Sequence, residues 1–169
     1  MGRKLEFDLE KALEAATRVF WAKGYVSASM RDLLKAMRIG EGSFYHLFGS
    51  KKQLYLECLK HYNGVVMKRR VEALLAESSV RKGVRAFFRG LLDELDNPRT
   101  PRVCLMAQSL SAEVMGESGL DSYVMEQMQG FERLFVERLK EGEKTGELPQ
   151  DFDEKVAAEI IVTYLQGFF

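Results

Sequence analysis

The stretch GSFYHLFGSKKQL, residues 42–54, places aromatic, hydroxyl, imidazole and lysine side chains within thirteen positions. With 100° of rotation per residue, the apolar side of a helix over its first part consists of Phe44, Leu47 and Phe48. The opposite side consists of Gly42, Ser43, Tyr45 and His46. The stretch therefore predicts a short helix that is anchored by phenylalanines and that exposes hydrogen-bonding groups.

Gly42 at the centre of the exposed face is itself informative. A glycine inside an exposed helix costs roughly 1 kcal/mol relative to alanine. Its presence indicates that another surface approaches the backbone closely there. Lys51 and Lys52 follow the helix directly, so that the exposed groups adjoin two cations.

Two more helices are predicted upstream. Apolar residues of the first recur at spacings of three and four, namely Leu9, Ala12, Leu13, Ala16, Val19 and Phe20, and Gly24 stops it. The second begins at Ser29, which forms a capping box with Asp32. Its inward face is Met30, Leu33, Leu34 and Met37. A tight connection through Arg38, Ile39 and Gly40 leads to the third helix, over residues 41–47.

Three short helices with an exposed last helix have the layout of a helix-turn-helix unit, whose partner is the major groove of DNA. The charge distribution agrees with this interpretation. Residues 1–52 carry 10 Lys/Arg against 6 Asp/Glu, a net +4, while residues 53–169 carry 15 against 19, a net −4. A basic N-terminal part is typical of a nucleic-acid-binding segment attached to a domain with another role.

The remaining chain is also predicted to be helical. One long helix over 51–77 has an apolar side of Leu54, Cys58, Tyr62, Val65 and Val66, with Gly64 as a bend. Further helices are predicted over 79–96, 102–116, 119–142 and 152–169. We therefore predict an all-α fold: a three-helix DNA-binding domain over 1–50 and a helical ligand-binding and dimerisation domain over 51–169.

Several function classes are disfavoured by composition and motifs. Apolar residues make up 46% of the chain and no apolar run approaches a bilayer-spanning length, so we expect a cytoplasmic protein without a membrane partner. Cys58 and Cys104 form neither a CxxC pattern nor a disulfide framework. We therefore predict no metal site and no cofactor. The nucleophile elbow, the HExxH motif, the phosphate loop and the Rossmann fingerprint are missing, so no enzyme is predicted.

The quoted residues resemble the DNA-binding signature of the TetR/AcrR family of transcriptional repressors. The resemblance runs from Leu9 to Leu54 through Gly24-Tyr25, the residues 29–34, the residues 42–48 and Ser50-Lys51. It implies that Ser29 and Lys51 contact phosphates, that Tyr45 binds the sugar-phosphate edge, and that Gly42, Ser43 and His46 lie against base edges. Arg31 would reach a base or a phosphate.

Three residues depart from the family pattern. Arg38 stands where the family commonly has a glycine in the turn, which predicts a left-handed backbone at a non-glycine residue. Gly40 replaces the usual serine cap of the third helix. Glu41 stands where a basic or neutral residue is more common, and a carboxylate is repelled by phosphate. We expect these departures to affect which operator sequence is bound more than they affect the fold.

For the larger half, the resemblance implies a homodimer that binds a small-molecule effector, which the many Met and Phe residues suggest to be apolar. The candidate ligand contacts are Tyr62, Met106, Ser109, Tyr123, Met128, Phe131 and Tyr164. Plain core packing is the alternative role for each of them. The alternative functions are a thiol-sensing regulator that uses Cys104 and a helical adaptor that binds only protein.

Overall fold

The computed structural model describes residues 8–98 and 100–167, and all the regular structure in these ranges is helical. The first part contains α1 (Leu9–Ser27), α2 (Met30–Met37), α3 (Glu41–Phe48), α4 (Lys51–Tyr62), a π-helical segment (Asn63–Met67), α5 (Lys68–Ala76) and α6 (Val80–Leu95). The second part contains α7 (Leu105–Gln108), α8 (Ala112–Met115), α9 (Leu120–Lys144) and α10 (Glu154–Gly167). The all-α prediction is confirmed.

Local signals in the first three helices act as predicted. Gly24 breaks the helical geometry of α1, with φ 78° and ψ 170°. Ser29 and Asp32 form the complete capping box of α2. Arg38 adopts the left-handed conformation, with φ 56°. Two residues depart from the prediction: Leu9, at the first position of α1, is 45% exposed, and Leu47 is 43% exposed, because only the ridge of residues four apart on α3 reaches the core.

The long helix predicted over 51–77 is present without a break over residues 51–76, but its winding is not α-helical throughout. It includes the π-helical segment Asn63–Met67, which contains Gly64, the residue predicted as a bend. A π-helical turn holds one residue more than an α-helical turn, which shifts the face on which later residues lie. Val65 is accordingly 44% exposed, against the prediction that it lines the apolar side with Leu54 and Tyr62.

The helix predicted over 102–116 is wrong, since α7 and α8 are two separate short helices. The break follows Ser109, a fully buried residue whose hydroxyl lies 2.8 Å from the Tyr55 hydroxyl and 2.7 Å from the carbonyl oxygen of Leu105. The other helices lie within a few residues of their predicted bounds. Phe168 and Phe169, predicted as the end of the last helix, lie outside the described residues.

Two apolar clusters form the core. The first joins α1–α3 to α4, α7, α8 and the start of α9, and includes Phe20, Phe44, Tyr55 and Met106. The second joins α5, α6, α9 and α10 around the rings of Phe87 and Phe135. The first three helices thus share a core with the helical domain, and the division between residues 50 and 51 stays a prediction. No helix within 8–98 and 100–167 has both the length and the apolar character needed to cross a bilayer.

Candidate nucleic-acid interface and helical-domain cavity

The two sides of α3 differ in burial as the sequence predicts. Phe44 is fully buried and Phe48 is 7% exposed. On the other side Gly42, Ser43 and His46 are exposed, and Tyr45 is 51% exposed. The Tyr45 ring packs edge-to-face on Phe44, with 5.2 Å between centroids, so that its direction is fixed by a buried neighbour. The polar side of α3 is therefore available to a partner.

The turn between α2 and α3 is held by backbone hydrogen bonds. The Ile39 amide donates to the carbonyl oxygen of Leu34 at 3.2 Å, while Arg38 takes the left-handed position. Gly40 precedes α3, and no side chain in the described part of the chain caps the N-terminus of this helix. The position of α3 depends mainly on its two buried rings and on this turn.

Lys51 is the first residue of α4 and follows the end of α3 by three residues. Its Nζ donates to the carbonyl oxygen of Val26 at 3.2 Å and lies 5.0 Å from the centre of the Tyr25 ring. Partial burial lowers the pKa of this ammonium group. These contacts hold the charge against the end of α1, and the three N–H donors of a lysine leave room for further acceptors.

Ser29 and Arg31 lie at the start of α2. The Ser29 hydroxyl donates to Asp32 Oδ2 at 2.7 Å and accepts from the Asp32 amide at 3.1 Å. Lys23 Nζ lies 2.9 Å from the same carboxylate and, together with Ser29, lowers the pKa of Asp32 to about 2. A phosphate contact from the Ser29 hydroxyl would therefore replace its bond to Asp32. Arg31 is exposed.

A second group of contacts joins the first three helices to the helical domain. Glu117, between α8 and α9, accepts from the Tyr25 hydroxyl at 3.4 Å and lies 3.9 Å from Lys52 Nζ. Lys52 also donates to the carbonyl oxygen of Ser118 at 3.4 Å. Lys52 is thus held by the helical domain, whereas its neighbour Lys51 is held by α1.

The helical domain encloses a small cavity between α5, α6, α7, α9 and α10. Three of the predicted ligand contacts, Met106, Met128 and Phe131, lie in its wall. Its volume is about 30 Å³, which is room for about one water molecule. In this conformation the cavity is closed to a drug-sized ligand.

The other four predicted ligand contacts do not line this cavity. Tyr62 is fully buried, with its hydroxyl 3.7 Å from Cys104 Sγ. Ser109 is bonded to Tyr55, as described above. Tyr123 accepts a hydrogen bond from the Asn63 side-chain amide at 3.0 Å. Tyr164 is 58% exposed on α10.

Two polar residues of the cavity wall were missed or given another role by the sequence interpretation. Arg70 is 5% exposed and forms an ion pair with Glu94. It lies four residues before the fully buried Leu74 and so on the same side of α5, which is the sequence signal for its burial. Cys104 lies in the same wall and is half-buried, whereas Cys58 is fully buried, which raises the pKa of its thiol to about 12.

Comparison with known protein families places the first helices in one family. A family model described as "Bacterial regulatory proteins, tetR family" matches residues 12–58, which include the helix-turn-helix unit and the first part of α4.

Similarity to individual proteins extends over most of the chain. It is 32% identical over 152 residues to the uncharacterized HTH-type transcriptional regulator YezE of Bacillus subtilis (strain 168), covering 88% of this chain and 76% of that protein. It is 25% identical over 167 residues to the HTH-type transcriptional repressor ComR of Escherichia coli (strain K12). This match covers 98% of this chain and 80% of that protein. Among solved structures, a cysteine mutant of the TetR family transcriptional regulator CifR in complex with 26 bp double-strand operator DNA is 33% identical to this chain. The two structures superpose with a TM-score of 0.87, and the match covers 98% of this chain and 86% of that chain.

Proposed function

Because this chain belongs to the TetR family of transcriptional regulators, we propose that it is a dimeric repressor of a palindromic operator, released by a small molecule in its helical domain. One observation carries the DNA-binding part of the proposal: the polar side of α3 is exposed beside Lys51 while its phenylalanines are buried. The adaptor alternative does not account for that surface. We expect such a regulator in the cytoplasm, where its DNA is.

The geometry supports α3 as the element that enters the major groove. An α-helix with its side chains is about 10–12 Å across, which matches the width of about 12 Å of that groove, and α3 offers eight residues to it. We assign Gly42, Ser43 and His46 to base edges, since directional hydrogen bonds and close backbone approach give sequence discrimination. We assign the phosphate contacts to Ser29, Tyr45 and Lys51. Arg31 would contact either a base or a phosphate.

Lys51→Ala and His46→Ala test this division of roles. We expect Lys51→Ala to weaken binding to every duplex about equally and to flatten the dependence of log affinity on log salt by about one unit. His46→Ala is expected to change the ratio of affinities between operator and mismatched duplexes instead. Fluorescence anisotropy of labelled duplexes over a salt series measures both.

Lys140→Ala is the charge-matched control. Lys140 lies on α9, is paired with Glu137, and is remote from α3 in the chain. Its loss removes the same charge and is expected to leave the salt slope unchanged. An unchanged affinity and slope for Lys51→Ala, in a variant that melts like the wild type, would show that Lys51 does not contact phosphate.

The exposed side of α10 supports dimerisation through the last helices. Val156, Ile160 and Tyr164 are 50%, 63% and 58% exposed and lie four residues apart, which puts them on one side of the helix. A row of large apolar side chains of this kind is typical of a protein interface. A second copy of the chain would cover it.

Contacts of α7 support a route from the cavity to the DNA-binding helices. Met106 lies in the cavity wall, and the side-chain amide of Gln108, on the same turn, lies against Gly24 of α1. The adjacent Ser109 is hydrogen-bonded to Tyr55 of α4. A molecule that displaces Met106 therefore moves groups that touch both α1 and α4. A hundredfold loss of operator affinity takes a preference of about 2.7 kcal/mol for the released conformation.

Thiol sensing at Cys104 is the second candidate function, favoured by the position of this cysteine in the cavity wall beside Tyr62. We expect iodoacetamide to modify Cys104 at least tenfold faster than Cys58, because a thiol with a pKa of about 12 is almost never ionised at neutral pH. Peptide mass spectrometry over a time course gives both rates, and Cys104→Ser serves as the control. Equal rates would remove the structural reason for preferring Cys104.

A further inference from the structure

The cavity of the helical domain has one charged residue in its wall. Arg70, on α5, is the only charged side chain among the described residues that line it. Most of the other lining residues are apolar, among them the three flexible methionines Met67, Met106 and Met128. An arginine that is 95% buried in such surroundings has to find its hydrogen-bond acceptors locally.

The acceptors of Arg70 are incomplete. A guanidinium group has five N–H donors. Nη2 donates to Glu94, and Nη1 lies 3.6 Å from the sulfur of Met67, which is a weak acceptor. Nε has no acceptor among the residues that the structure describes. The positive charge is matched by Glu94, but hydrogen-bonding capacity remains unused beside the cavity.

An apolar wall with one incompletely bonded arginine favours some classes of ligand over others. A pure hydrocarbon would leave Nε unpaired. A carboxylate would bring a second anion next to Glu94, in a site with a low dielectric constant where like charges repel strongly. A neutral carbonyl oxygen accepts the free N–H without adding charge.

We infer that the cavity binds a small neutral molecule with an apolar body and a carbonyl oxygen that accepts a hydrogen bond from Arg70. The inference rests on the proposed function only in taking this molecule as the effector. It replaces the expectation of a purely apolar effector with a more specific one.

Binding requires the cavity to widen. Ligand pockets usually measure roughly 300–1,000 Å³, whereas this cavity measures about 30 Å³. Methionine side chains repack more readily than branched or aromatic ones. Because Met106 belongs to α7, its displacement is also the movement that would reach Gly24 and Tyr55.

The test uses three matched probes: acetophenone, the isosteric hydrocarbon α-methylstyrene, and benzoate. Calorimetric titration of the full chain is expected to show acetophenone binding about tenfold tighter than either of the other two, as the gain of one hydrogen bond to a charged donor implies. A two-ring set, 2-acetylnaphthalene with its alkene and carboxylate analogues, is titrated in the same way. Equal or tighter binding of hydrocarbon or carboxylate, or no ketone binding in either set, would overturn the inference.

A double variant, Arg70→Met/Glu94→Gln, removes both charges together and so leaves neither of them unpaired. It is expected to lose the preference for ketone. The matched control is Arg138→Met/Glu141→Gln, since Arg138 is also buried, is also paired with a glutamate and also has an unpartnered Nε, but does not line this cavity. An equal loss of preference in the control variant would contradict the assignment.

Infrared spectroscopy of the bound ketone gives an answer that does not depend on how the variants fold. In the wild-type chain, the carbonyl stretch is expected at lower wavenumber than in a hydrocarbon solvent, because the oxygen accepts a hydrogen bond. An unshifted band would refute the contact. Operator binding is measured on the same protein preparations before any ketone is added: its absence counts against the proposed function, while a missing ketone preference with operator binding intact counts against this inference alone.

Discussion

Replacing Phe44 by alanine is expected to lower the free energy of unfolding by about 3–5 kcal/mol and to abolish operator binding. The ring is fully buried and lies 5.8 Å, centroid to centroid, from the ring of Phe48. Helix α3 has only eight residues and no side-chain cap from the described part of the chain. A helix this short is not stable alone, so losing one of its two anchors releases it from the core.

Chemical denaturation, hydrogen exchange of the α3 amides and anisotropy with operator DNA measure the three consequences. Phe87→Ala is the matched control, because its ring is 1% exposed and belongs to the second core cluster. We expect a comparable loss of stability there, with the α3 amides still protected and operator binding kept under conditions where the chain is folded. Normal operator affinity in Phe44→Ala would contradict the role of α3.

Replacing Gly42 by alanine is expected to change stability and DNA affinity in opposite directions. No described atom lies within 4 Å of the position that a Cβ would take at Gly42, so the free chain has room for it. Alanine is also the better helix former, by about 0.5–1 kcal/mol. In the complex, the added methyl group would stand between the helix backbone and the base edges. We expect a higher melting temperature and at least a tenfold weaker affinity for the operator.

Gly90→Ala is the control for the helix-propensity effect. Gly90 lies in α6, and a Cβ there would likewise have no described atom within 4 Å. Its melting temperature should rise while operator affinity stays constant. If Gly42→Ala bound the operator as tightly as the wild type, the α3 backbone would not approach the DNA closely at that residue.

The helix-turn-helix unit was predictable because its signals are local. The capping box of Ser29 and Asp32, the break at Gly24 and the left-handed Arg38 each depend on a few neighbouring residues. The burial of Phe44 and the exposure of His46 follow from helical rotation within one short segment. No distant contact has to be known for these predictions.

The errors occur where distant contacts decide the structure. Ser109 ends α7 because its buried hydroxyl meets Tyr55, 54 residues away in the chain. Leu47 is exposed because the ridge of α3 that reaches the core is narrower than the apolar side of the helix. The periodicity of 3.6 residues does not indicate a π-helical turn, and Val65 was therefore placed on the wrong face.

The cavity was predictable only in part for the same reason. Methionine and phenylalanine enrichment led to Met106, Met128 and Phe131, but apolar composition does not distinguish a cavity wall from filled core. Arg70 was missed because a charged residue was assumed to face solvent. Its partner Glu94 lies 24 residues further along the chain.

The π-helical segment Asn63–Met67 has a mechanical consequence. It joins α4, which follows α3 in the chain, to α5, which carries Arg70. The segment winds one extra residue into its turn, so conversion to regular α-helical winding would rotate α5 by about 100° relative to α4. With α4 held still, such a conversion would turn Arg70 about the helix axis relative to α3. A change in the winding of this segment would therefore appear as torsion of α5 and not as a bend.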